Sequence, residues 1–211
     1  AVYAYNDDGT SRNITVKNSN IHDFQKNAMA LNASATTPLV VDVNNNVITG
    51  YGLTTVTAQN GIQVSADMGS GSITNNTLSG IAWDGTYWVA STILNFDADI
   101  DITGNTITGA QVGVYNFDGA GSIQNNSVGV IEAGDYAWGI IATDPPHAVP
   151  SPFGSEEELA ASGDSPEAVN STLAVNVSNN TVTFSGGDNT ATYGIEVDPG
   201  FGPNDIAFTG N

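Results

Sequence analysis

Three aspartates hold the strongest claim to chemistry in this chain. When the segments that begin with a Gly-apolar pair are aligned, Asp97, Asp118 and Asp144 take one equivalent position in three successive copies of a repeat, with Asp67 and Asp198 displaced by one residue. If the copies stack as neighbouring strands, adjacent carboxylates lie about 5 Å apart, the separation of a retaining glycosidase pair. Two copies apart they lie about 9.6 Å from each other, near the inverting limit. Like charges this close raise one carboxyl pKa or recruit Ca²⁺ through oxygen ligands. Catalysis would draw its acid and base from Asp97, Asp118 and Asp144, and a calcium site would add Asp99 and Asp101 from the run Asp97-Ala98-Asp99-Ile100-Asp101. That run lacks the glycine and distal glutamate of an EF-hand loop. Asp also ends strands well, so a repeated turn places it at a repeated position with no further role. The three readings stay open.

Two other sets carry possible recognition. Trp83, Tyr87 and Trp88 fall in one bend, Tyr115 and Phe117 in the next apolar segment, and Tyr136 and Trp138 in the one after. Aromatic faces beside acids are a common way of holding neutral sugars, and aromatic rings that fill corners between unequal repeats give the same pattern. The second set is a Thr-apolar-Thr file at Thr106/Thr108, Thr77/Ser79, Thr181/Thr183 and Val47/Thr49, broken at Asn20/His22 and Ser127/Gly129. It resembles the regular threonine arrays of ice-binding solenoids, and threonine is also simply a good strand residue. His22 and His147 sit in unrelated contexts, with no zinc spacing, phosphate loop or nucleophile motif anywhere.

What positions these residues is a repeat. Val16, Val43, Ile73, Ile102, Ile123, Val177 and Phe208 share a register, with steps of 27, 30, 29, 21, 54 and 31 residues. A period in this range marks a solenoid. The clearest copy is Ile100 to Asp118: an apolar-x-apolar triplet, a Gly/Asn-Asn pair, Thr-apolar-Thr-Gly, a bend, a Gly-apolar strand and an acidic stop. Period-two alternation in the triplets predicts strands with one buried face. A second strand recurs as NAMAL at 27–31, NGIQV at 60–64, STILN at 91–95, VGVYN at 112–116, WGIIA at 138–142 and YGIEV at 193–197. The 54-residue step predicts an inserted corner loop over 145–171, in which Ser155 to Glu158 reads as a capping box opening a short helix through Ala161.

Composition sets limits. Three basic residues (Arg12, Lys17, Lys26) stand against 22 acidic ones, for a net charge of -19, which opposes binding to nucleic acid or to anionic membranes. Such a surface fits a secreted protein in salty or calcium-rich water, and equally a general acidic bias. Cys is absent, and no stretch approaches the roughly 18 apolar residues of a membrane span, so no membrane insertion is expected. The repeat runs end to end, which predicts one domain over 1–211. No capping unit precedes the first copy and Asn211 falls partway through the last. The expectation is therefore a piece of a longer protein, or one that stacks on like subunits.

Coils of this length and grammar resemble the right-handed parallel β-helix of the pectin-lyase-like superfamily. The residues that carry the resemblance are ITGNTITG at 102–109, ITNNTLSG at 73–80 and VSNNTVTF at 177–184, joined to NGIQV, VGVYN and YGIEV. The resemblance implies an all-β solenoid of about seven coils and an internal asparagine ladder at Asn46, Asn76, Asn105, Asn126 and Asn180, continuing to Asn211. It leaves function open, since lyases, hydrolases, tailspikes and adhesins share the fold. Pectate lyases use an Arg or Lys base on anionic uronates, whereas Arg12 stands alone here, and the Asn-Thr-Asp, Asp-Asp, Gly-His-Gly and Arg-x-Lys motifs of polygalacturonases are missing. Sequons at Asn13, Asn32, Asn75, Asn125, Asn170, Asn176 and Asn179 read as by-products of an Asn/Thr-rich repeat. The expectation is an extracellular or cell-surface structural or adhesive module, binding glycan through Trp83, Tyr87, Trp88, Tyr115, Phe117 and Trp138, or Ca²⁺ through the aspartates. The alternatives are a polysaccharide-degrading enzyme and, third, an ice-binding solenoid.

Overall fold

Each repeat folds into three short strands because its apolar residues alternate with polar ones over five or six positions and are then interrupted by residues that turn the chain. The computed structural model describes residues 1–143, 174–186, 191–198 and 205–210. Asp144, Asn211 and the 145–171 insertion, with the short helix expected in it, lie outside the described residues. Within them the fold is a right-handed parallel β-helix with three sheets.

The first sheet stacks β1 (Val2–Asn6), β4 (Asn27–Ala33), β7 (Asn60–Ser65), β10 (Ser91–Phe96), β13 (Val112–Phe117), β16 (Tyr136–Thr143) and β19 (Ala191–Asp198). The second stacks β2 (Arg12–Lys17), β5 (Leu39–Asn44), β8 (Gly69–Thr74), β11 (Asp99–Thr103), β14 (Gly121–Gln124), β17 (Ala174–Ser178) and β20 (Asp205–Thr209). The third stacks β3 (Asn20–Ile21), β6 (Val47–Thr54), β9 (Thr77–Trp83), β12 (Thr106–Ala110), β15 (Ser127–Ile131) and β18 (Thr181–Ser185). Every third strand is thus a neighbour, and the pairing is parallel throughout. No described residue is helical, and among the described residues no helix is long and apolar enough to cross a membrane.

The predicted alternation is visible residue by residue. In β11, Ile100 and Ile102 are buried while Asp99 and Asp101 are exposed. Inward side chains stack in files such as Val43, Ile73, Ile102, Ile123 and Val177, which form one continuous core. Parallel strands with one face on this core gain their stability from such files, at roughly 1.5–3 kcal/mol per large aliphatic side chain buried.

The corners differ in kind. Between the second and third sheets the connection is two residues in every coil: 18–19, 45–46, 75–76, 104–105, 125–126 and 179–180. The first of the pair lies in the left-handed region, as Asn18, Asn45, Asn75, Asn125 and Asn179 at φ 53–56° or Gly104 at 69°. Asparagine and glycine are the residues that reach that region at least cost. Between the third and first sheets the connection varies from one residue, Gln111, to the seven of 84–90. Between the first and second sheets the spacing varies too, from the two residues 97–98 to the thirty between Thr143 and Ala174, so coil length changes at these two corners and not at the ladder corner.

Candidate functional site

The second residue of each two-residue corner turns inward and builds the ladder. Asn76 Oδ1 accepts from the Asn46 backbone N–H and from Asn46 Nδ2, both at 2.9 Å, and Asn76 Nδ2 donates to Val43 O and to Asn105 Oδ1, both at 3.0 Å. The same four bonds recur through Asn105 and Asn126, and Asn180 accepts from Asn126 in the same way. In the first coil, Ser19 stands in the ladder position and its N–H donates to Asn46 Oδ1 at 3.0 Å. The paired asparagines therefore have separate jobs: the first turns the chain, the second satisfies the buried corner. These residues are consumed by structure.

The aspartates at 97 and 118 are corner residues too, at φ 64° and 53°. Their strands align as Phe96 beside Phe117, and their N–H groups donate to Phe117 O at 3.0 Å and Thr143 O at 2.8 Å, so the two carboxylates follow each other on adjacent coils. Beneath the turns, Asn95 donates to Ala98 O at 2.8 Å and Asn116 Oδ1 at 2.7 Å, and Asn116 donates to Gly119 O at 2.5 Å. This inner brace was not read from sequence, although Asn at the last inward position before an acidic stop is its signal. Asp99 and Asp101 leave the corner for the outer side of the second sheet, where Asp101 accepts from the Ser122 N–H at 3.1 Å. Among the described residues no group of three His, Cys, Asp or Glu side chains is gathered as a metal site.

The aromatic set divides. Tyr115 and Trp138 are each 1% exposed and offer no face to a ligand. They belong to a second apolar cluster with Val89, Leu94, Val112 and Ile141, against which Phe117 packs. Phe117 stacks on Phe96 at 4.8 Å, and Trp138 lies between Tyr136 at 5.2 Å and Tyr193 at 6.0 Å, with its Nε1 donating to Glu196 at 2.6 Å. The Tyr115 hydroxyl is buried with no hydrogen-bond partner among the described residues, and burial first, then the Glu196 charge, raises its pKa. The expectation that Tyr115 and Trp138 bind sugar is thus corrected: unequal coils are packed with these rings. Trp83 is half-buried against the main core with Gly85 lying on its ring, and serves as the base of its bend.

Tyr87 remains outward, and Trp88 beside it is half-buried. Tyr87 is 83% exposed at φ 71°, a conformation that costs a bulky residue about 1–3 kcal/mol and that surrounding structure must impose. The corner of the preceding coil adds Tyr51, Leu53 and Val56, which are 56, 52 and 80% exposed. The two corners are joined where Asp84 N–H donates to Thr54 O at 2.9 Å and Thr54 pairs with Trp83. Two buried glutamines hold them. Gln59 accepts from the Tyr51 N–H at 2.9 Å and donates to Phe24 O at 2.6 Å. Gln111 accepts from Ala90 N–H at 2.8 Å and Trp83 N–H at 3.3 Å and donates to Ala133 O and Tyr136 O. The result is an apolar and aromatic corner, fixed from beneath, with Asp84 exposed at its edge. Sequence reading found Tyr87 and Trp88 but missed Tyr51, Leu53 and Val56, because nothing in their spacing marks a strand that runs on past its neighbour.

Comparison with protein-family models, with curated proteins and with solved structures finds no match.

Proposed function

We propose that this chain is an extracellular structural or adhesive β-helix module of the pectin-lyase-like kind, which holds a neutral saccharide at the corner formed by Tyr51, Tyr87 and Trp88. The observation that carries the reading is the exposed aromatic corner on an otherwise braced solenoid, with Tyr87 kept in a costly backbone conformation at its tip. Rings of this kind stack on the apolar faces of pyranoses, and the net charge of -19 disfavours uronates and other anionic chains. The scaffold role is supported by the unbroken ladder and core, which spend the chain's polar inward residues on rigidity.

The test is isothermal titration of a panel of neutral and anionic oligosaccharides, with and without millimolar calcium, beside a reducing-end assay on the corresponding polysaccharides. Binding of neutral sugars that falls about three- to tenfold in Tyr87→Ala or Trp88→Ala supports the reading. Sugar release that disappears in Asp118→Asn would replace it with a hydrolase or lyase built on the aspartates. Binding that requires calcium and disappears in Asp97→Asn would move the site to the acidic corner.

A further inference from the structure

The third sheet is free of charge along its strands, and the first carries charge only at Glu196 and Asp198 in β19, but it is the third whose uncharged outer face is exposed in file after file. Its six strands read NI, VITGYGLT, TLSGIAW, TITGA, SVGVI and TVTFS, without one charged residue, in a chain that carries 25. The second sheet, by contrast, bears Arg12, Lys17, Asp42, Asp99 and Asp101. The outward file of the third sheet runs in register from Asn20 through Val47, Thr77, Thr106 and Ser127 to Thr181, and all six are exposed. A second file beside it passes through Thr49, half-buried Ser79 and Thr108, and resumes at Thr183 beyond Gly129, which offers no hydroxyl. In β6 that second file continues directly into Tyr51 and Leu53.

We infer that this uncharged face is the track along which the saccharide chain lies, with the Tyr51–Tyr87–Trp88 corner as its anchor; the inference rests on the saccharide reading above. Three features point to a neutral polymer. An acidic protein that keeps an exposed sheet face free of charge removes the ions that an uncharged chain would have to desolvate. Short hydroxyls in two files offer donors and acceptors to ring hydroxyls without blocking close approach. Neighbouring strands rise by about 4.8 Å, close to the length one pyranose occupies in an extended β-linked chain, so each coil meets one sugar. The aromatic corner is the independent feature that gives such a track, beside its second and third coils, faces to stack on.

The experiment is calorimetric titration of β-1,4-linked glucose oligomers from dimer to hexamer into wild-type chain, Thr106→Lys, and Tyr87→Ala, with circular dichroism confirming each fold. The inference expects affinity to climb with each added sugar in the wild type and to stop climbing in Thr106→Lys, whose dimer affinity stays near that of the wild type. Tyr87→Ala should weaken every oligomer about equally. If affinity reaches its plateau at the dimer in the wild type and only Tyr87→Ala weakens it, the track is wrong and the corner reading survives. If no oligomer binds, both are wrong. Thermal hysteresis of freezing that Thr106→Lys abolishes, in the absence of sugar binding, would reassign the face to ordered water.

Discussion

Replacing Asn105 by alanine measures what the ladder contributes. Its Oδ1 accepts from the Asn76 N–H at 2.9 Å and from Asn76 Nδ2 at 3.0 Å, and its Nδ2 donates to Ile73 O at 2.9 Å and Asn126 Oδ1 at 3.0 Å. After truncation Asn76 Nδ2 keeps Val43 O, and Asn126 Oδ1 keeps the Asn105 backbone N–H. The Asn76 N–H and the Ile73 carbonyl lose those partners inside a closed corner. One orphaned backbone N–H at about 1–3 kcal/mol, with the loss of one of the donors to the Ile73 carbonyl, which stays in the β8–β11 ladder, at about 0.5–1.5 kcal/mol, gives a loss of about 1.5–4.5 kcal/mol. Asn105→Asp keeps the acceptor for Asn76 but aims charged oxygen at two other acceptors, so it should cost more. The control is the turning residue: Asn125→Gly keeps the left-handed corner and should change stability by less than about 1 kcal/mol. Urea unfolding followed by circular dichroism, compared at constant m-value, separates these outcomes. If Asn105→Ala and Asn125→Gly cost the same, the division of labour within the pair is wrong.

Tyr87→Gly should be at least as stable as wild type in thermal unfolding, since glycine relieves the positive φ, while its sugar affinity falls as in Tyr87→Ala; a clear drop in Tm would mean that the ring packs rather than projects. Tyr115→Phe removes a buried hydroxyl that has no partner among the described residues, so unfolding free energy should hold or rise by about 1 kcal/mol, and a loss of that size would reveal a bond to the hydroxyl. The Arg12 guanidinium, and after it the Thr10 N–H, hold the Asp8 carboxyl below its ordinary value. Its contribution to stability is therefore present above about pH 4 and fades as pH falls through the lower native pKa, and Arg12→Gln should move the Asp8 NMR titration midpoint upward.

The fold was legible because three signals agreed at one period: alternating triplets, the asparagine pair, and the Gly-apolar strand. The structure gives the last of these a physical reason. A Cβ added at Gly61, Gly113 or Gly139 would sit 2.4–2.5 Å from the carbonyl oxygen of Thr92, Gly139 or Gly194 on the next coil, so these three coils need glycine there, whereas β4 and β10 accommodate Ala28 and Thr92 at the equivalent position. The candidate site was half legible. Tyr87 and Trp88 announce themselves as aromatics in a bend, but whether a ring on a strand faces core or water depends on where the chain turns. Tyr115 and Trp138 showed the same spacing as an exposed pair and are enclosed. Gln59 and Gln111 escaped notice because a lone buried glutamine has no sequence signature, although both stand one residue before the first-sheet strands.

Corner chemistry also explains where new function can enter this solenoid. A connection whose residues bond to their counterparts on the coils above and below must have the same length as its neighbours, and the two-residue ladder corner obeys this in six coils out of six. The corner between the third and first sheets carries no such ladder; single glutamines span it, each reaching two or more coils. Its length runs from one residue to seven, and the longest connection, 84–90, holds Tyr87. An insertion there costs only loop entropy, which grows slowly with length, whereas an insertion at the ladder corner orphans buried backbone groups on both adjoining coils. Lengthening the 84–90 connection by two residues beside exposed Tyr87 should therefore leave a folded protein, whereas one extra residue between Asn75 and Asn76 should lower the urea midpoint sharply. The reverse order of tolerance, read by the same unfolding curves, would show that the ladder does not set coil length.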